Sequence, residues 1–186
     1  MITTREQYEE VLALLTARDT RRNPHRLPIE QYSLSEGEFF FTICARHCGQ
    51  PFSDPMLAKR IIDALLWRRV KHGWLLYCYC LMPDHLHFIV SLLDAELPLR
   101  NAGARGFEVE GLLHQIGDFK SYTTSQIWWP YGGSGELRQR SSYDHVIRYN
   151  DKIDHAVEYV LNNSTRKQLV EDWRQYPHAG IVDSYT

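Results

Sequence analysis

The stretch that most limits what this chain can become is WLLYCYCLMPDHLHFIVSLL, residues 74–93. Two runs rich in aromatic and branched apolar residues are separated only by Pro83 and Asp84, and so short a connection joins antiparallel neighbours. A β-hairpin is expected, with Cys80 roughly opposite His87. Side chains alternate along a strand, so Leu86, Phe88, Val90 and Leu92 share one face while His85, His87, Ile89 and Ser91 share the other. The first face is apolar. The second offers two imidazoles side by side, a spacing at which two neutral nitrogens can point at one metal ion.

The flanking segments fit around this hairpin. Thr3 and Glu6 form a capping-box pattern ahead of Tyr8, Val11, Leu12 and Leu15, which predicts a short amphipathic helix. A polar, proline-bearing arm follows, up to about Ser35. Glu38 to Arg46 (EFFFTICAR) reads as a core strand. Asp54 opens a helix carrying Leu57, Ile61, Ile62, Leu65 and Leu66. A second helix is predicted from about Phe107 to Trp129, ended by Pro130 and the Gly132-Gly133 pair. SSYDHVIRY reads as a short strand or extended segment, and Asn150-Asp151 cap a final helix whose core face is Ile153, Val157, Val160 and Leu161. The order predicts a ferredoxin-like α+β sandwich, an antiparallel sheet with its helices on one face. The histidines would then look outward from the other face. Residues 1–37 are read as an N-terminal helix and arm, and 38–186 as one domain.

Composition narrows the function classes. No segment of the 186 residues is long and apolar enough to be a signal peptide or a membrane span, so a cytoplasmic protein with no membrane partner is expected. The four cysteines, Cys44, Cys48, Cys78 and Cys80, stand in C-x-x-x-C and C-x-C spacings rather than in paired C-x-x-C. Buried thiols are therefore expected in place of a structural zinc site. A formal net charge of -2 argues against a broad basic surface. A nucleic-acid footprint would need a local stripe, for which Lys120, Arg138, Arg140, Arg148 and Arg166 are the candidates.

On the final helix His155, Tyr159 and Asn163 recur every four residues and line one stripe, displaced from the core face. Tyr159 is thus expected to stand off the core.

With these residues in view, the chain resembles the REP-associated tyrosine transposases, a branch of the single-tyrosine HUH transposases. YCYCLMPDHLHFIV is similar to that family's strand, Pro-(Asn/Asp/Glu)-His-x-His turn and strand. GELRQRSSYDHVIR resembles its G-x-(L/I)-W-Q-x-R block, AVEYVLNNSTRKQLV its nucleophile helix, and the Trp173 segment follows in place. The likeness runs from about Glu38 to Trp173. It implies an HUH-type catalytic domain in which His85, His87 and Asn163 ligate a divalent metal, Mg²⁺ or Mn²⁺, and Tyr159 is the nucleophile. The implied activity is cleavage and strand transfer of single-stranded, hairpin-bearing DNA through a 5′-phosphotyrosine, by a monomer or homodimer. Ser164, Arg138 and Ser141 depart from the family pattern, where proline, tryptophan and an aromatic stand. A DNA-hairpin-binding protein without catalysis is the alternative. Tyr122 and Tyr143 are rival nucleophiles, and Gln126 is the amide one turn after Tyr122.

Overall fold

In the computed structural model, which describes residues 38–46, 49–92, 107–139, 142–147 and 153–184, the hairpin forms as its sequence dictates. Strands β2 (Trp74–Leu81) and β3 (His85–Leu92) pair antiparallel, and the Met82 N–H donates to the His85 carbonyl at 2.7 Å across Pro83 and Asp84. Cys80 stands opposite His87, as expected. On its other side β3 pairs with β1 (Glu38–Cys44), in a register that sets Thr42 against His87 and Cys44 against His85. Strand β4 (Tyr143–Ile147) lies outside β1, and β5 (Ala179–Ile181) outside β2. The sheet order is β4-β1-β3-β2-β5 with every pair antiparallel. The first four strands keep the ferredoxin-like order; β5 is an addition that the sequence reading did not contain.

Local chemistry fixes helix α1 (Pro55–His72) at both ends. The Asp54 carboxylate accepts from the Met56 and Leu57 N–H groups, each at 2.9 Å, which satisfies donors that the first turn leaves orphaned. The Leu57 bond foremost, and then one from the Tyr131 hydroxyl, hold the carboxyl below its usual range. Gly73, at φ +68°, ends the helix in the left-handed conformation that glycine adopts without steric cost. Helix α2 (Phe107–Tyr122) continues into a π-helical segment, Thr123–Trp128. Both helices pack on the Leu86, Phe88 and Val90 face, where Leu57, Ile61, Leu65, Leu112, Ile116 and Phe119 meet Phe39, Phe41 and Ile43. Phe41 and Phe88 stack at 5.3 Å in the middle of this layer.

The opposite face is not left open, and here the expected arrangement is corrected. Helix α3 (Ile153–Leu161) and the short α4 (Asn163–Arg166) lie on the histidine-bearing face, where Ala156, Val157, Val160 and Leu161 cover Phe40, Cys78, Cys80 and Ile89. The reason is hydrophobic: an apolar patch beside the histidines also has to leave water. A bulge between Leu76 and Cys78 turns Tyr77 and Cys78 into this same layer. Asp183 accepts from the Leu76 N–H at 2.8 Å and is held by the Arg69 guanidinium, which ties the segment after β5 to α1.

The predicted N-terminal helix and arm, the Asn150-Asp151 cap, Arg140 and Arg148 fall outside the described residues. Truncating Phe88 to alanine should cost about 4 kcal/mol, since its ring is fully buried and stacked. Equilibrium denaturation checks this, and a loss under about 2 kcal/mol would mean that the layer collapses around the gap.

Candidate active site

The site grows out of strand register. His87 points from β3 toward the α3 layer with Thr42 directly across on β1, and the Thr42 Oγ1 to His87 Nδ1 distance is 2.8 Å. His85 stands two residues earlier at the mouth of the hairpin, and its Nδ1 lies 2.6 Å from the carboxylate of Asp84. A carboxylate only accepts, so the proton of a neutral His85 sits on Nδ1 and the lone pair on Nε2. The two rings are 4.5 Å apart between centroids and inclined at 70°. Thr42 and Asp84 thus hold each imidazole by Nδ1, the outer-shell arrangement that orients histidine ligands at metal sites. Neither residue was a site candidate in the sequence, where Asp84 entered only as part of the hairpin connection. Asp84 could have been, as the neighbour of His85; Thr42 is reached only through strand pairing.

Burial governs the charge state. His87 is 7% exposed, and desolvation, helped by His85 and Arg166, holds it neutral well below the usual histidine range. Burial also lowers His85, against the pull of Asp84, with Lys167 and Arg166 adding to the lowering. Two neutral imidazoles at ordinary pH are what a metal requires.

Helix α3 carries the second half of the site. Tyr159 is 6% exposed, which corrects the expectation that it stands off the core face. Its ring meets His87 edge-on at 5.9 Å and Phe40 at 6.0 Å. The Arg166 guanidinium lies 4.1 Å above the ring, a cation-π contact. Asn162 interrupts the helix, so Asn163 starts α4 rather than the next turn of α3. Asn163 still reaches the pair: it is 2% exposed, with its Nδ2 3.4 Å from His85 Nε2. The oxygen and nitrogen of an amide exchange by a half-turn of the group, which would turn Oδ1 toward the histidines. Among the described residues no three His, Cys, Asp or Glu side chains form a metal cluster; the third group here is an amide. Cys80, beside His87, is kept protonated by burial, with its thiol pushed up to about 12.

The structure therefore brings together His85, His87, Tyr159, Asn163 and Arg166, and it separates others. Arg138 is 3% exposed, with its guanidinium over Phe119 and Phe52 in the helix-side core, so it is not the surface phosphate contact expected of it. Lys120 lies on that same side, at the end of α2. Tyr122 stacks on Trp67 there at 6.3 Å, away from the histidines. Tyr143 stands opposite Thr42 and shares the α3 layer, where burial, reinforced by Tyr159, raises its phenol. Among the described residues no helix is long and apolar enough to cross a membrane.

No family model matches the chain, and no curated protein matches it in sequence. Solved structures do resemble it. A provisionally assigned transposase of Deinococcus radiodurans R1 aligns over 67% of this chain and 91% of its own at 16% identity, with a TM-score of 0.43. A REP-associated tyrosine transposase bound to a REP hairpin aligns over 77% of this chain and 75% of its own at 19% identity, with a TM-score of 0.55. What this chain shares with that hairpin-bound transposase is its fold, the five-stranded antiparallel sheet with its helices.

Proposed function

We propose that this chain is a single-tyrosine HUH transposase-like enzyme that cuts and rejoins single-stranded, hairpin-bearing DNA. One observation carries the proposal: two imidazoles held neutral, His87 buried and His85 half-buried, each engaged at Nδ1, face a buried asparagine amide and a tyrosine ring under one guanidinium. The REP hairpin held by the similar solved structure supports the choice of DNA.

The donor set fits a divalent ion. His85 and His87 through Nε2, and Asn163 through Oδ1 after the half-turn, would hold Mg²⁺ or Mn²⁺, which on binding would neutralise charge on a phosphodiester oxygen. The chain's own groups do the rest. Tyr159 loses its proton and its Oη attacks phosphorus; the bond from phosphorus to the 3′-oxygen breaks, and that oxygen takes up a proton to become a free hydroxyl. The 5′ end remains as a phosphotyrosine. Attack by another 3′-hydroxyl reverses the step, so bond energy is kept through two transesterifications. Arg166 holds the phenol ring in place, and with Lys167 it makes the surroundings favourable to phosphate. The enzyme would act as a monomer or as a homodimer.

A second reading, a hairpin-binding protein without catalysis, is favoured by the low exposure of Tyr159 and His87. The covalent adduct separates the two. With labelled hairpin oligonucleotide and Mn²⁺, the wild type should give a heat-stable protein-DNA band on denaturing electrophoresis. Tyr159→Phe should abolish the band while keeping hairpin affinity within about threefold, because only the reacting oxygen is lost. A full band from the variant would remove Tyr159 from its role, and binding without any wild-type band would establish the second reading.

Asp84→Ala should weaken Mn²⁺ binding about 10- to 100-fold, the usual effect of deleting an outer-shell partner of a histidine ligand. Calorimetric titration measures it, and an unchanged affinity would mean that Asp84 does not orient the ligand.

The pH dependence has a definite sign. Because both histidines are held below their ordinary range, Mn²⁺ affinity should change little between pH 7.5 and pH 6. An unperturbed pair, with pKa near ~6.5, would lose affinity about tenfold over that interval as its rings protonate. A tenfold loss would show that the imidazoles titrate like exposed ones.

A further inference from the structure

On the α1 and α2 side of the sheet, away from the paired imidazoles, the end of α2 and the segment leading into β4 line an open pocket of about 240 Å³. Lys120, Ser121 and Ser125 come from the helical wall, Trp129 from the turn after the π-helical segment, and Glu136 and Arg138 from the other side. The wall is shaped by the π winding, in which the Trp129 N–H reaches back to the Thr124 carbonyl at 3.1 Å. The indole N–H of Trp129 donates to the Gly135 carbonyl at 2.8 Å, which fixes the ring while leaving it 53% exposed.

The unusual member is Arg138. Its Nη1 donates to Thr123 Oγ1 at 2.5 Å, but Nε and Nη2 are buried with no hydrogen-bond partner, and among the described residues no carboxylate pairs with it. Phe119 and Phe52, at 4.7 and 5.6 Å, give it aromatic faces and no countercharge. Burial pulls this guanidinium down only to about 9, so it is charged at neutral pH. An uncompensated charge of this kind is costly and is retained where a counter-ion answers it. The Glu136 carboxylate at the pocket wall accepts from Arg46 Nη1 at 2.5 Å and forms no salt bridge with Arg138. The lining of the pocket therefore combines a buried arginine, a lysine, hydroxyls, the Glu136 carboxylate paired with Arg46 and the exposed ring of Trp129.

We propose that this pocket is a phosphate-binding site, separate from the paired imidazoles, in which Lys120, Ser121 and Ser125 contact the oxyanion and Arg138 holds it by charge from below. Trp129 gives the phosphate-bearing molecule a surface on which to stack a base. The phosphate is either free or part of a DNA strand; the strand source rests on the DNA-processing reading above, and the free source does not.

The test uses the full chain. Thermal unfolding is followed in chloride and in sodium phosphate at equal ionic strength, for wild type, Arg138→Met and Lys120→Gln. Phosphate should raise the wild-type midpoint, Arg138→Met should abolish the rise, and Lys120→Gln should cut it by at least half. In chloride, Arg138→Met should unfold no lower than wild type, since an apolar side chain replaces an unpaired buried charge. If that variant does not fold, Lys120→Gln alone decides. In parallel, fluorescence anisotropy with a single-stranded oligonucleotide compares wild type with Trp129→Ala and Lys120→Gln. An affinity loss of about threefold or more, with the Lys120→Gln salt slope reduced by about 0.7, places a strand phosphate in the pocket. Unchanged DNA affinity with the phosphate rise intact makes the occupant free phosphate. The same phosphate response in all three proteins, or none, together with unchanged DNA affinity, overturns the proposal. The Tyr159 adduct is scored separately, so its absence alongside an intact phosphate response would sink only the preceding function.

Discussion

The pairing of β3 with β1 and β2 is the constraint on which the site depends. Thr42, His87 and Cys80 stand in one row across three strands, and that row exists only in one register. A slip by one residue would turn His85 and His87 into the layer occupied by Leu86, Phe88 and Val90, where α1 and α2 exclude water. The slip would set two imidazoles without partners into that apolar layer and force three large apolar side chains under α3 in their place, so the fully buried Phe88 and its stacked partner Phe41 enforce the register that aims the histidines. Packing on one side of the sheet thus sets the chemistry on the other.

Covering the histidine face with α3 has two consequences that pull against each other. Burial keeps the imidazoles neutral and makes their nitrogens available as ligands. The same burial leaves Tyr159 with little exposed surface beneath Arg166. On the function proposed above, a phosphate would reach such a tyrosine only where the layer yields locally. The break at Asn162 is the natural place for this, because it separates the helix that carries Tyr159 from the short helix that carries Asn163 and Arg166. The cation over the phenol belongs to the smaller element, which has few buried side chains to hold it.

Much of this was legible in the sequence because it was local. The two-residue hairpin followed from Pro83-Asp84, the opposition of Cys80 and His87 from that loop length, and the start of α1 from Asp54 ahead of Pro55. What escaped was set by contacts between distant segments. Alternation showed which residues of β3 share a face, but it could not show that Phe40 and Ile89 made the histidine face apolar enough to need a helix. For the same reason the four-residue stripe through Tyr159 looked like a solvent-facing one: helical spacing describes directions around an axis, and only packing decides which of them meet a sheet. Thr42 lies 45 residues from His87 and is joined to it solely by register. The bulge at Tyr77 and strand β5 left no local signature in the pattern of apolar residues.

Arg138 shows the same limit from the other direction. In sequence it was one cation in a charged segment, and the ordinary expectation for arginine is a solvated surface. The family that the chain resembles has tryptophan there, a residue that fills a core with an aromatic body. In this chain Arg138 packs its guanidinium over Phe119 and Phe52 at 4.7 and 5.6 Å and adds a charge there. Planar stacking makes a guanidinium a tolerable replacement for an indole in shape, but not in electrostatics. A chain that needed only volume at this position would be better served by an apolar side chain, so the charge itself requires an explanation. The pocket above it supplies one that shape alone does not.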